Sequence, residues 1–180
     1  MDKINWINGQ AGGTPLSAEN LNQMQDNIEN AINEVLNIAT EKNIITASGA
    51  SGEIATSSSG TKIALANSVS VGSKLTLTND GGIIIGSGIT KVAISASTTY
   101  TSSTASQHSI VIYKNSKSDA NRVARMLFNC GSNIGIQATI NIPYQLINVS
   151  ENDVLYLYVS SSENKNVSGA MTFMTVEAVG

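Results

Sequence analysis

Asp153-Val154-Leu155-Tyr156-Leu157-Tyr158-Val159 is apolar or aromatic at every position after its aspartate. A run this short, rich in β-branched and aromatic residues and bounded by turn formers, reads as a strand. Side chains alternate across a strand, so Leu155, Leu157 and Val159 share one face, and Val154, Tyr156 and Tyr158 share the other. An antiparallel strand that packs one face into a sandwich core and is still apolar on the other needs a second cover. That cover is either a subunit interface, which assigns Tyr156 and Tyr158 to contacts between copies of the chain, or a groove or overlying loop. The run MTFMTV repeats the pattern, with Phe173 and Met174 on opposite sides.

Outward from this stretch the same period of two recurs. KIALANSV, KLTLT, GIIIG, KVAIS, HSIVIYKN, RVARMLF, IGIQATINI and MTFMTVEAV are candidate strands, separated by NDGG, GSG, KNSKSDAN, NCGSN, SEND and SSENKNVSG. In IGIQATINI the residues Ile134, Ile136, Ala138, Ile140 and Ile142 share one face, as in a half-buried strand. No long helical pattern interrupts the series. The expected fold is mainly β, with residues 81–180 as an antiparallel β-sandwich head of the jelly-roll kind.

The pattern before residue 43 is different. Leu21, Ile28 and Val35 fall seven apart, as do Met24, Ala31 and Ile38, which makes an a/d seam. Ser17 is a suitable N-cap, Glu19 lies in the first turn, and Leu16 with Leu21 has the spacing of a hydrophobic staple. Residues 14–42 are expected to hold a coiled-coil helix, from about Ala18 to Lys42, whose seam packs on copies of itself. Packing on the chain's own β domain is the other reading. Ile32 and Leu36 widen the stripe, which suits cover by two neighbours rather than one. Residues 43–80 are expected to form a Ser/Gly/Thr-rich neck, because TASGASGEIATSSSGTK has the composition of a linker. Residues 1–13 lack a core of their own. With Trp6 between Ile4 and Ile7 they read as a docking peptide or as a frayed terminus.

Composition narrows the function. Only 13% of the 180 residues are charged, so hydroxyl and amide side chains carry solubility. A formal charge of −3 with scattered Lys and Arg argues against nucleic acid as a partner. Cys130 is the single cysteine, so no disulfide framework forms within the chain, and it reads as a buried thiol. The start MDKINWINGQ has no apolar signal region, and no apolar run is long enough for membrane insertion, so the expected origin is a cytoplasm.

Catalytic chemistry is sparse. His108 is the only histidine, reads as a surface residue at the start of a strand, and has no nucleophile motif around it. Five of the six head carboxylates, counting Asp80, Asp119, Glu151, Asp153, Glu163 and Glu177, fall in turns. The Gly-rich pieces lack the features of a phosphate loop. No catalytic residue, metal ligand or cofactor is expected. Binding remains, and Tyr100, Tyr113, Asn115 and Tyr144 are the aromatic and amide groups suited to a sugar.

Three stretches carry a family resemblance. WINGQAGGTPLSAENLNQM, from Trp6 to Met24, resembles the opening of tail-associated structural proteins of bacteriophages and prophages of Gram-positive bacteria. TNDGGIIIGSGITKVAIS, from Thr78 to Ser95, resembles the first head strand of phage receptor-binding and baseplate proteins. YQLINVSENDVLYLYV, from Tyr144 to Val159, resembles the C1q/TNF-like jelly roll. The resemblance implies a homotrimer of helix, neck and β head, mounted on a virion after synthesis in a bacterial cytoplasm. Such a protein docks on other virion proteins through its N-terminus and holds a host cell-wall saccharide through its head. In that jelly roll the inner sheet faces the threefold axis, which would bring Tyr156 and Tyr158 against neighbouring subunits. No ligand residue carries over, because the only Trp lies at the opposite end of the chain. The alternative is a purely architectural virion component, such as a head fibre, neck or baseplate connector.

Overall fold

The computed structural model describes residues 17–40, 42–101, 106–130 and 137–179, and for 36–40 the backbone only. It divides into two units, one up to Lys42 and one from Asn43 onward. The docking peptide and Trp6 lie outside the described residues.

In the first unit a helix, α1, spans Ala18–Thr40. Ser17 caps it: its Oγ accepts from the Asn20 amide at 3.2 Å, and its carbonyl accepts from Leu21 at 3.1 Å. Along the seam, Met24, Ile28 and Val35 are 52%, 56% and 64% exposed, Ala31 is exposed, and Leu21 is half-buried. Ile32, beside them, is exposed too. The side chain of Ile38 lies outside the described residues.

The second unit is a two-sheet sandwich. In chain order its strands are β1 Ile44–Gly49, β2 Glu53–Ala55, β3 Thr61–Lys62, β4 Leu65–Val71, β5 Leu75–Leu77, β6 Ile83–Ile85 and β7 Lys91–Tyr100. They continue as β8 Ser106–Lys114, β9 Arg122–Cys130, β10 Ala138–Asn148, β11 Val154–Ser161, β12 Asn166–Ser168 and β13 Phe173–Ala178. Among the described residues the first sheet runs β4-β1-β13-β7-β10, with β12 and β2 continuing from the far end of β7. The second runs β5-β6-β11-β8-β9, with β3 beside β11. All of these strand pairs are antiparallel.

The core lies between the sheets. Ile45, Ala47, Ile94, Ala96, Met174 and Val176 point in from the first, and Ile83, Ile110, Ile112, Leu155, Leu157 and Val159 from the second. Tyr100 reaches across from β7, with its hydroxyl 3.0 and 2.6 Å from the Ser109 and Ser160 carbonyls. Its single proton serves one of them at a time. That bond lets a phenol sit fully buried without an unsatisfied hydroxyl.

Residues 43–80 do not form a separate neck, and the sandwich does not begin at 81. β1 lies between β13 and β4, with Ile45 and Ala47 fully in the core. The small residues that resemble a linker permit close backbone crossing instead. A Cβ on Gly169 would lie 2.0 Å from the Ala50 carbonyl oxygen, and one on Gly49 would lie 3.0 Å from the Gly169 oxygen. The strand in IGIQATINI is also longer than its pattern suggests. The strand does not stop at Ile142: β10 passes Pro143 through a register shift between Ile142 and Gln145 and pairs with β7 as far as Asn148. The bulge accommodates the proline, which has no N–H for the ladder.

Candidate binding groove and the exposed faces

On β11 the core-facing residues are Leu155, Leu157 and Val159, all fully buried, so Tyr156 and Tyr158 point out of the sandwich as the alternation requires. Strand register then sets their neighbours. Tyr156 lies opposite Tyr113, and Tyr158 opposite Val111, which in turn lies opposite Arg125. The Tyr113 and Tyr158 rings meet edge to face, 5.2 Å apart at 87°.

Both tyrosines find cover within their own chain. Lys62 Nζ lies 4.8 Å above the Tyr156 ring and pairs with Asp80 at 3.0 Å. The Thr78 hydroxyl donates to Asp80 at 2.6 Å. This hydroxyl first, and Lys62 second, hold the Asp80 carboxyl at about 2. Burial and the adjoining Asp80 carboxylate push the Tyr156 phenol up. Over Tyr158 stands Lys117 Nζ, 5.4 Å from the ring centre, donating to the Ser59 and Gly60 carbonyls. Side chains from β3 and from the loop after β8 thus cover part of both rings within the single chain, where Tyr156 and Tyr158 are half-buried.

Beside Tyr158 the loops leave a groove of about 250 Å³. Its floor is Val111 with Ser109 and Ser160, whose hydroxyls pair at 2.6 Å. Ser58 and Ser59 form one wall, and Lys117, Arg122 and Arg125 form the cationic side. The loop after β8 sets the Lys117 position. Asn115 adopts φ 67, and its side chain donates to Asp153 at 2.7 Å while accepting from the Val154 amide at 2.8 Å. Asp119, in a short 3-10 turn, accepts from Arg122 at 2.8 Å.

The cationic groups escape a sequence reading for a specific reason. Arg122 and Arg125 are three apart, which on a regular strand sends them to opposite faces. A bulge opposite Ile112 and Tyr113 inserts an extra residue, so Arg122 lies opposite Tyr113 while Ala124 lies opposite Ile112. Both arginines then line one groove. Lys117, Ser58 and Ser59 come from distant loops and Ser109 and Ser160 from two paired strands, and nothing in the chain order signals that they meet.

The residues singled out for a sugar disperse. Tyr113 lines the groove, Asn115 braces its loop, and Tyr100 is buried in the core. Tyr144 lies on the first sheet, its hydroxyl donating to Glu177 at 3.1 Å. His108 is not a surface residue. Its ring is fully buried, 4.0 Å from the Tyr100 ring, with Nε2 2.8 Å from Ser106 Oγ. Among the described residues no hydrogen-bond partner meets its Nδ1. The Ser106–His108 pair thus lacks the acid that orients a catalytic imidazole, and it is closed to solvent. Cys130 is half-buried rather than buried. Among the described residues no group of three or more His, Cys, Asp or Glu is placed to hold a metal, and no helix is long and apolar enough to cross a membrane.

The first sheet presents a second surface on its side away from the core. One cross-strand row there is Val71, Ile44, Glu177, Ala93 and Leu146; a second carries Val69, Thr46, Thr175 and Ser95; a third carries Asn67, Ser48, Phe173, Ser97 and Asn141. The middle mixes small residues with Glu177 and Phe173, while Val69, Val71, Leu146 and Tyr144 at the margins are 79%, 55%, 61% and 59% exposed.

No protein-family model matches the chain, and no curated protein does. Solved structures match its fold. A crystal structure of murine APRIL shares 8% identity at a TM-score of 0.61, over 77% of this chain and 99% of that one. The structure of Eiger TNF from S. frugiperda shares 11% at 0.58, over 78% and 94%. The sandwich has the TNF-like jelly-roll fold.

Proposed function

We propose that this chain is a homotrimeric adhesion module of a phage tail, in which α1 and the first sheet assemble the trimer and the groove on the second sheet binds a host-surface saccharide. The observation that carries the assembly is the exposure of large apolar side chains on two separate elements: Met24, Ile28, Ile32 and Val35 on the helix, and Val69, Val71 and Leu146 on the sheet. On the helix these side chains repeat along one stripe, and an exposed apolar stripe marks an interaction surface. Ile32 widens the helical stripe beyond what one partner covers, which favours three chains over two. The N-terminal resemblance to phage tail proteins supports the setting, and the hydroxyl-lined groove supports binding rather than pure architecture.

Tyr156 and Tyr158 leave the interface in this reading and join the binding face. Light scattering on the full chain tests the assembly: a mass three times the 18.8 kDa chain is expected, and a monomer at micromolar concentration removes it. A glycan array probed with the assembled protein tests the adhesion. Absence of any signal favours an architectural component without a ligand of its own.

A further inference from the structure

We infer that the groove takes an acidic saccharide, whose phosphate or carboxylate is held by Arg125; the inference rests on the groove being the ligand site. Cationic groups gather here against the balance of the chain. The protein has ten Lys and Arg against thirteen Asp and Glu, yet among the described residues Lys117, Arg122 and Arg125 line this one groove with a single carboxylate, Asp119. That carboxylate is already engaged by Arg122. Lys117 is fixed by backbone carbonyls, which orient its charge without cancelling it.

Arg125 is exposed and has no carboxylate partner among the described residues. A guanidinium presents a planar fork of donors that matches two oxygens of a carboxylate or a phosphate. The surroundings favour a sugar as the bearer of that group. Among the described residues four serines and two tyrosines line the groove, and its aliphatic part is two buried valines, Val111 and Val159. Its volume of about 250 Å³ is below the range of about 300–1,000 Å³ that encloses drug-sized ligands. One unit of a longer glycan fits that space, with the chain continuing outside.

The test titrates the full chain, in its assembled state, with N-acetylglucosamine, N-acetylglucosamine 6-phosphate, glucuronic acid and inorganic phosphate, read by ligand-observed NMR. At least one of the two acidic sugars is expected to bind about tenfold more tightly than the neutral one, the scale of one charge-assisted contact. The two acidic arms separate phosphate from carboxylate as the recognised group. Arg125→Gln should reduce that sugar to the neutral level, and Arg125→Lys should restore part of the difference. Circular dichroism and mass should stay unchanged, since the side chain is exposed. Equal affinity for neutral and acidic sugars, unaffected by Arg125→Gln, overturns the inference and leaves a saccharide groove. Inorganic phosphate binding as tightly as the sugar phosphate also overturns it, showing an anion site without sugar recognition. Failure of every sugar removes the groove as a ligand site, and the inference with it.

Discussion

His108 is held between Tyr100 and Ser106 in the core, where burial first, and Lys165 second, push its imidazole below the ordinary value. The folded protein therefore keeps the ring neutral at a pH where the unfolded chain binds a proton, and stability falls as protons are added. Full stability is expected above the unfolded value of about 6.5, with a loss that grows as the pH drops below it. Melting temperatures between pH 7.5 and 5 should show this decline, and His108→Gln should flatten it. A decline of equal size in the variant would assign it to other groups. Asp80 acts in a lower window. Its contribution is present above its ordinary value and is lost as the pH falls towards about 2. At the centre of the second sheet, Leu157→Ala should cost about 2–5 kcal/mol in urea unfolding, because a fully buried leucine leaves both lost transfer energy and a cavity.

At the scale of elements, β1 decides where the folded body begins. It pairs with both β13 and β4, and without it Met174 and Val176 lose their neighbours Ala47 and Ile45. A fragment starting at Gly81 is therefore expected to be unfolded or molten, and one starting at Asn43 to unfold cooperatively. Amide exchange and near-UV dichroism on the two fragments check this. A cooperative Gly81 fragment would show that residues 43–80 are an accessory after all. Gly169→Ala probes the same packing by one atom, since the new methyl meets the Ala50 carbonyl. Stability should drop, against the gain of roughly 0.4–1 kcal/mol that a stiffer unfolded chain alone would give.

For the whole molecule, the two outward faces of the sandwich are expected to separate by mutation. Val69→Asp with Leu146→Asp places charges on the first sheet, where both side chains are exposed in the single chain. Assembly should fail while the monomer keeps its β-sheet spectrum, because each apolar group loses about 1.5–3 kcal/mol of burial in the interface. Tyr156→Ser with Tyr158→Ser should leave the oligomer intact and weaken glycan binding. Size-exclusion with light scattering reads both outcomes. Dissociation by the tyrosine pair and not by the aspartate pair would return the interface to the second sheet.

Much of this architecture is determined by local pattern. The two-residue period places Leu155, Leu157 and Val159 inward and Tyr156 and Tyr158 outward, and the seven-residue spacing with Ser17 as cap defines α1. Both follow from backbone geometry acting over a few neighbouring residues. Tertiary structure decided the rest. β1 has the composition of a linker, and only its place between β13 and β4 makes Ile45 and Ala47 core residues. His108 lies on a strand whose alternation shows two faces, and only the opposing Tyr100 makes its face the interior. Arg122 and Arg125 share a groove because a bulge reverses the parity of their spacing. Sheet order determines which apolar face the chain covers with its own loops and which it leaves exposed. That order depends on pairings between strands more than a hundred residues apart, such as Thr46 with Thr175, and no local period encodes them.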